Sequence, residues 1–83
     1  MSFQPDPLQT LYLWSLLFVH GGECANKDIK PKLGEVKRED KKITGAQRRN
    51  ELQEAGLIDT WTQQRVLMVK LTETGWGWSS EHL

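Results

Sequence analysis

At 83 residues the chain has room for one domain with one compact core, and a composition of 37% hydrophobic and 27% charged residues excludes both a disordered and a fibrous design. The single cysteine, Cys24, excludes an internal disulfide, no apolar stretch approaches the ~20 residues of a membrane span, and the N-terminus lacks the features of a secretory signal, so the expectation is a cytoplasmic domain with no membrane partner. Eleven basic and eleven acidic residues cancel overall, yet the segment from Lys27 to Arg49 holds nine basic residues against four acidic ones, a local excess of +5 that can steer a polyanion.

Asp6 before Pro7 marks the first helix start, because the carboxylate accepts from orphan backbone N–H groups and proline at the first helical position loses nothing. The helix is predicted from about Pro7 to His20. Leu8, Leu11, Tyr12, Leu16, Phe18 and Val19 mostly keep helical spacing, while Leu13, Trp14 and Leu17 widen the stripe, so burial on two sides is expected. Gly21 and Gly22 end the helix, and Glu23 to Ala25 reads as a short extended piece. Asn26 is a good cap for a second short helix that carries Ile29 and Leu33 inward. Pro31 opposes it, at a cost of about 3 kcal/mol, unless that helix is only a turn or two long or kinks.

Gly34 to Lys42 has mixed charge and one apolar residue, Val36, and reads as an exposed loop or a solvated helical turn. Thr44 with Gln47 three residues on is a capping box that opens a helix to Ala55. Leu52 and Ala55 face the core in it, with Ala46 or the stem of Arg49 alongside, and Gly56 is its left-handed stop. Leu57 to Trp61 and Arg65 to Leu71 alternate as strands of a hairpin joined by Thr62, Gln63 and Gln64, with Leu67, Val69 and Leu71 on the buried face. Thr72 caps a last helix from about Glu73. Gly75 and Gly77 weaken it by about 1 kcal/mol each relative to alanine, so packing by Trp76 and Trp78 must hold it. The end at Leu83, without a cap or glycine, leaves room for residues 1–83 to be the N-terminal module of a longer protein.

The chain has no glycine-rich phosphate loop and no nucleophile with a base and an orienting group at a recognisable spacing, so no enzyme activity, catalytic residue or cofactor is expected. His20, Glu23 and Cys24 are close in sequence, but two histidines and one cysteine do not make a zinc set, and Cys24 reads as a small apolar residue near a helix end. The tryptophans read as core packing for the most part. Trp78 is the exception, since it lies about 200° from an inward Trp76 and would mark a contact surface.

LQEAGLIDTW, Leu52 to Trp61, and VKLTETGWGW, Val69 to Trp78, resemble the pattern of the multiple-antibiotic-resistance-type regulators and other prokaryotic winged-helix domains. The resemblance implies an α+β winged helix-turn-helix, three to four helices with a two-stranded β-hairpin wing, in a transcription regulator whose partner is double-stranded DNA. It makes the Thr44 to Ala55 helix the recognition element and Thr62 to Arg65 the wing tip. Gln47, Arg48, Asn50 and Glu51 are then the groove-facing candidates, with Arg49 and Arg65 on phosphates. Gln and Asn can pair with adenine and Arg with guanine, and Lys41 and Lys42 just before the helix would meet backbone phosphates. About ten residues separate the second and third helices, where the compact motif uses three or four. The alternative is a winged-helix protein-contact or dimerisation module that works through Trp78 and Leu83, with a homodimer or a further domain of the same protein as partner. DNA binding requires a contiguous positive surface from Lys41, Lys42, Arg48, Arg49 and Arg65; the alternative pairs those charges with Glu51 and Glu54 and exposes an apolar patch.

Overall fold

A computed structural model describes residues 3–83 as a mixed α+β domain. Its elements in order are α1 (Pro7–Phe18), β1 (Glu23–Ala25), a 3-10 turn (Asn26–Asp28), β2 (Val36–Arg38), β3 (Lys41–Ile43), α2 (Gly45–Glu54), β4 (Ile58–Gln63), β5 (Val66–Leu71) and α3 (Glu73–His82).

α1 starts as its sequence requires: the Asp6 carboxylate accepts from the Gln9 N–H at 2.8 Å, and the Gln9 side-chain oxygen accepts from the Asp6 N–H at 3.0 Å. It buries one side only. Tyr12, Leu13 and Leu16 enter the core, whereas Leu11, Trp14, Phe18 and Val19 remain between 46 and 62% exposed. The apolar residues at 11, 14 and 18 keep the spacing of a second stripe, which stays about half exposed.

β1 forms as expected and pairs antiparallel with β5, Cys24 opposite Val69, which gives a three-stranded sheet of order β1-β5-β4 where a two-stranded hairpin was expected. The second helix does not form beyond one 3-10 turn. Pro31 lacks the N–H and disfavours the helical region for Lys30 before it, so the chain runs on without regular structure, yet Ile29 is still fully buried and Leu33 packs on the core. The segment read as a loop or helical turn is a hairpin, with Val36 opposite Ile43 and Lys37 opposite Lys42. Its two-residue turn, Glu39 and Asp40, takes φ of 50° and 66°, the backbone twist that suits a tight hairpin.

α2 begins at the Thr44–Gln47 capping box and closes at Gly56, φ 80°, with Leu52 fully buried. At Gly45 a Cβ would run into the Leu33 carbonyl oxygen, so glycine is what lets the irregular segment lie against the start of the helix. β4 runs further than the sequence suggests, to Gln63, while β5 starts one residue later than expected, at Val66, because Gln64 and Arg65 form a two-residue turn with φ of 49° and 65°. Val69 and Leu71 are buried as expected; Leu67 is only half-buried, because the hairpin tip projects past the core.

Thr72 caps α3, its hydroxyl accepting from the Gly75 N–H at 2.9 Å and donating to the Gly56 carbonyl. The two tryptophans of α3 exchange their expected places. Trp78 packs against the core and stacks on His82 with ring centres 4.6 Å apart, whereas Trp76 is the exposed one, lying over Gly22. The core joins α1, α2 and the sheet through Tyr12, Leu13, Leu16, Ile29, Leu52, Leu57, Ile58, Val69 and Leu71.

Candidate nucleic-acid interface

The inward side of α2 is set by Leu52, and Arg48, one turn earlier on the same side, is buried with it at 1% exposure. Its guanidinium donates to the Gly34 carbonyl at 2.9 Å and to the Asp6 carboxylate at 2.5 Å, while its Nε has no protein partner. Arg38 of β2 donates to Glu51 and lies 3.5 Å from Asp6. The Gln9 amide donates to the Arg48 carbonyl at 2.9 Å and to Glu51 at 3.0 Å. Five side chains thereby tie the starts of α1 and α2 to the β2–β3 hairpin. Burial pushes the Asp6 carboxyl up, but the Gln9 N–H and the Arg48 guanidinium outweigh it and hold it below the usual carboxylate range. The hydrogen bond from Arg38 holds Glu51 down against its own burial. Arg48, expected in a DNA groove, is therefore internal, since a buried cation cannot stand unpaired, and the half-buried Glu51 is engaged by Arg38 and Gln9.

The other expected residues are accessible. Gln47 and Asn50 are exposed, although the Gln47 side-chain oxygen serves the Thr44 N–H at 2.8 Å. Asn50 shares a shallow depression with Gln53 and Glu54, so the outermost side of α2 is polar and carries an acid. Arg49 is half-exposed on the flank of α2, Arg65 stands at the β4–β5 tip, and Lys41 and Lys42 are exposed on β3, opposite Arg38 and Lys37. Trp78 and Leu83, the alternative contact residues, are both half-buried against the core; a cavity of about 310 Å³ between Trp78, His82, Thr10 and Pro5 is the opening beside them.

Four of the cations that make no ion pair among the described residues gather elsewhere. One depression of about 250 Å³ is lined by Asn26, Lys27, Arg65, Val66 and Leu67, and another of about 190 Å³ by Tyr12, Asn26, Lys27, Lys32, Leu33 and Arg49. Sharing Asn26 and Lys27, they form one basic track from the hairpin tip to the flank of α2. No acidic side chain lines either depression, and among the described residues Lys27, Lys32, Arg49 and Arg65 make no ion pair. Lys27 and Lys32 were missed as site residues. Their only sequence signal is membership of the segment with +5 charge; their placement beside Arg49 follows from the 3-10 turn and the irregular chain after it.

Among the described residues no cluster of His, Cys, Asp and Glu is suited to a metal ion, and no helix is long and apolar enough to cross a membrane. Fold and surface thus define a small α+β domain with a three-stranded antiparallel sheet, an extra charged hairpin and a basic track. Comparison with protein-family models, with curated proteins and with solved structures returned no match.

Proposed function

We propose that the chain is a winged-helix variant that binds double-stranded DNA, with β4–β5 as the wing and the β2–β3 hairpin in place of the usual second helix. The observation that carries this reading is the track of Lys27, Lys32, Arg49 and Arg65, four cations without acidic partners on adjoining depressions. In a chain of zero net charge such segregation favours a polyanion, whose counterions are released as phosphates meet lysine and arginine. The β2–β3 hairpin supports it: Lys37 opposite Lys42 sets like charges side by side, which is unfavourable without an anion nearby. Gln47 and Asn50 are the side chains of α2 left to read bases, and Lys41 and Lys42 extend the phosphate contacts.

The test is a salt-titrated affinity measurement with random duplex DNA. The plot of log K against log salt should fall with a slope of about −5 for six phosphate contacts, and become shallower by about 2 when Arg49→Ala and Arg65→Ala are combined. No binding at low salt removes the reading.

A second reading, self-association through α1, rests on the uncharged exposed stripe of Leu11, Trp14 and Phe18, with the Trp14 and Phe18 rings 5.4 Å apart. An identical uncharged helix face on a second copy is its natural cover. Sedimentation over a concentration series should show a dimer that Phe18→Ser abolishes; a monomer at all concentrations removes this reading.

A further inference from the structure

We infer that the depression lined by Tyr12, Asn26, Lys27, Lys32, Leu33 and Arg49 is a seat for one phosphate group, the point at which the basic track grips its ligand. The biological partner rests on the DNA-binding reading; the ligand class rests on the pocket alone.

The pocket is chemically one-sided. Of the lining residues, Lys27 and Lys32 carry ammonium groups with three donors each and Arg49 a guanidinium with five, none of which can accept a hydrogen bond. The side-chain acceptor of Asn26 is already taken by the Tyr12 hydroxyl at 2.7 Å, which leaves the Asn26 amide N–H groups as further donors without a partner among the described residues. Tyr12 stays a neutral phenol, because burial raises its pKa and the nearby Arg49 charge does not reverse that. Leu33 closes the remaining wall. Three cationic side chains and an amide with free donors, with no carboxylate among the lining residues, favour an anion with several acceptor oxygens, which is the chemistry of phosphate.

Size points the same way. At about 190 Å³ the space lies below the ~300–1,000 Å³ of sites that enclose drug-sized ligands, so it suits one small group. The adjoining depression toward Arg65 leaves an open path for the rest of a strand. The group is thus either a phosphodiester within a backbone or a phosphate monoester at an end, and one experiment tells these apart.

The full chain, labelled with nitrogen-15, is titrated with inorganic phosphate at constant ionic strength. Saturable shifts are expected at the amides of Asn26, Lys27, Lys32, Leu33 and Arg49. Lys32→Ala combined with Arg49→Ala should abolish them, and Lys70→Ala, a cation of β5 over the Trp61 ring, should leave them unchanged. Both replaced side chains lack protein ion pairs, and circular dichroism verifies that the variant is folded. Duplexes with and without 5′-phosphates then identify the source. Equal affinities, with a salt slope shallower by about 1 for each removed cation, assign a backbone diester; tighter binding of the phosphorylated ends, lost in the variant, assigns a terminal monoester. Absence of phosphate-induced shifts at those amides overturns the seat whether or not duplex binds. Shifts without any duplex binding sustain the seat and remove the DNA-binding reading.

Discussion

Removing the Arg48 guanidinium leaves the Gly34 carbonyl without its donor and Asp6 without its main counter-charge, and opens a void beside Leu52. Arg48→Ala is therefore expected to cost about 2–3 kcal/mol in chemical denaturation, an effect on folding and not on a DNA contact. Asp6→Asn is the finer probe, because asparagine keeps the cap while losing the charge. At neutral pH it should cost about 1.5–3 kcal/mol, the worth of a hydrogen bond to a charged group. Asp6 and Glu51 are both held below their ordinary values of 3.8 and 4.5, so the stability they contribute is present above those values and lost as pH falls through the lower folded ones. The denaturation midpoints of parent and Asp6→Asn should accordingly converge below about pH 4. Much of this was legible. Leu52 was read as inward, and Arg48 lies four residues before it, whereas Arg48 and Asn50 lie about 200° apart and cannot share one groove. What hid the network was distance in sequence: its partners, at positions 6 and 34, carry no local sign that they meet Arg48.

The two glycines of α3 separate propensity from packing. A Cβ at Gly75 would overlap the Leu57 carbonyl, whereas one at Gly77 meets nothing within 4 Å. Gly77→Ala should stabilise by about 0.5–1 kcal/mol and Gly75→Ala should destabilise, a contrast that thermal unfolding of the two variants measures directly. Elements with their own terminal chemistry were readable in sequence: the cap at Asp6 before Pro7, the box at Thr44, the Thr72 cap, the stop at Gly56 and the alternation of β5. The β2–β3 hairpin was not, because its strands are nearly all charged and its turn uses Glu39 and Asp40 where glycine or asparagine would announce it. Its shape follows from tertiary contacts, the Val36–Ile43 pairing and the grip of Arg38 on Glu51 and Asp6. The exchange of Trp76 and Trp78 has the same origin, since two aromatics two residues apart fix which sides of a helix are apolar but not which one meets the core.

At the scale of the molecule, zero net charge resolves into a cluster of ion pairs around the buried Arg48 and a basic track without ion pairs among the described residues, with an uncharged stripe on α1. The sequence carried the +5 excess but not its sorting: Arg48 turns inward and Arg38 pairs with carboxylates at its edge, while Lys27 and Lys32, remote from the expected helix, join Arg49 and Arg65. No periodicity records that division, because it is made by the irregular chain between the 3-10 turn and β2. The most direct measurement maps a short duplex onto the labelled chain by amide shift changes. The expected result is perturbation centred on Lys27, Lys32, Arg49 and Arg65, fading as salt is raised, with the amides of Leu11, Trp14 and Phe18 unmoved. Perturbation confined to α1, or none at low salt, would contradict it.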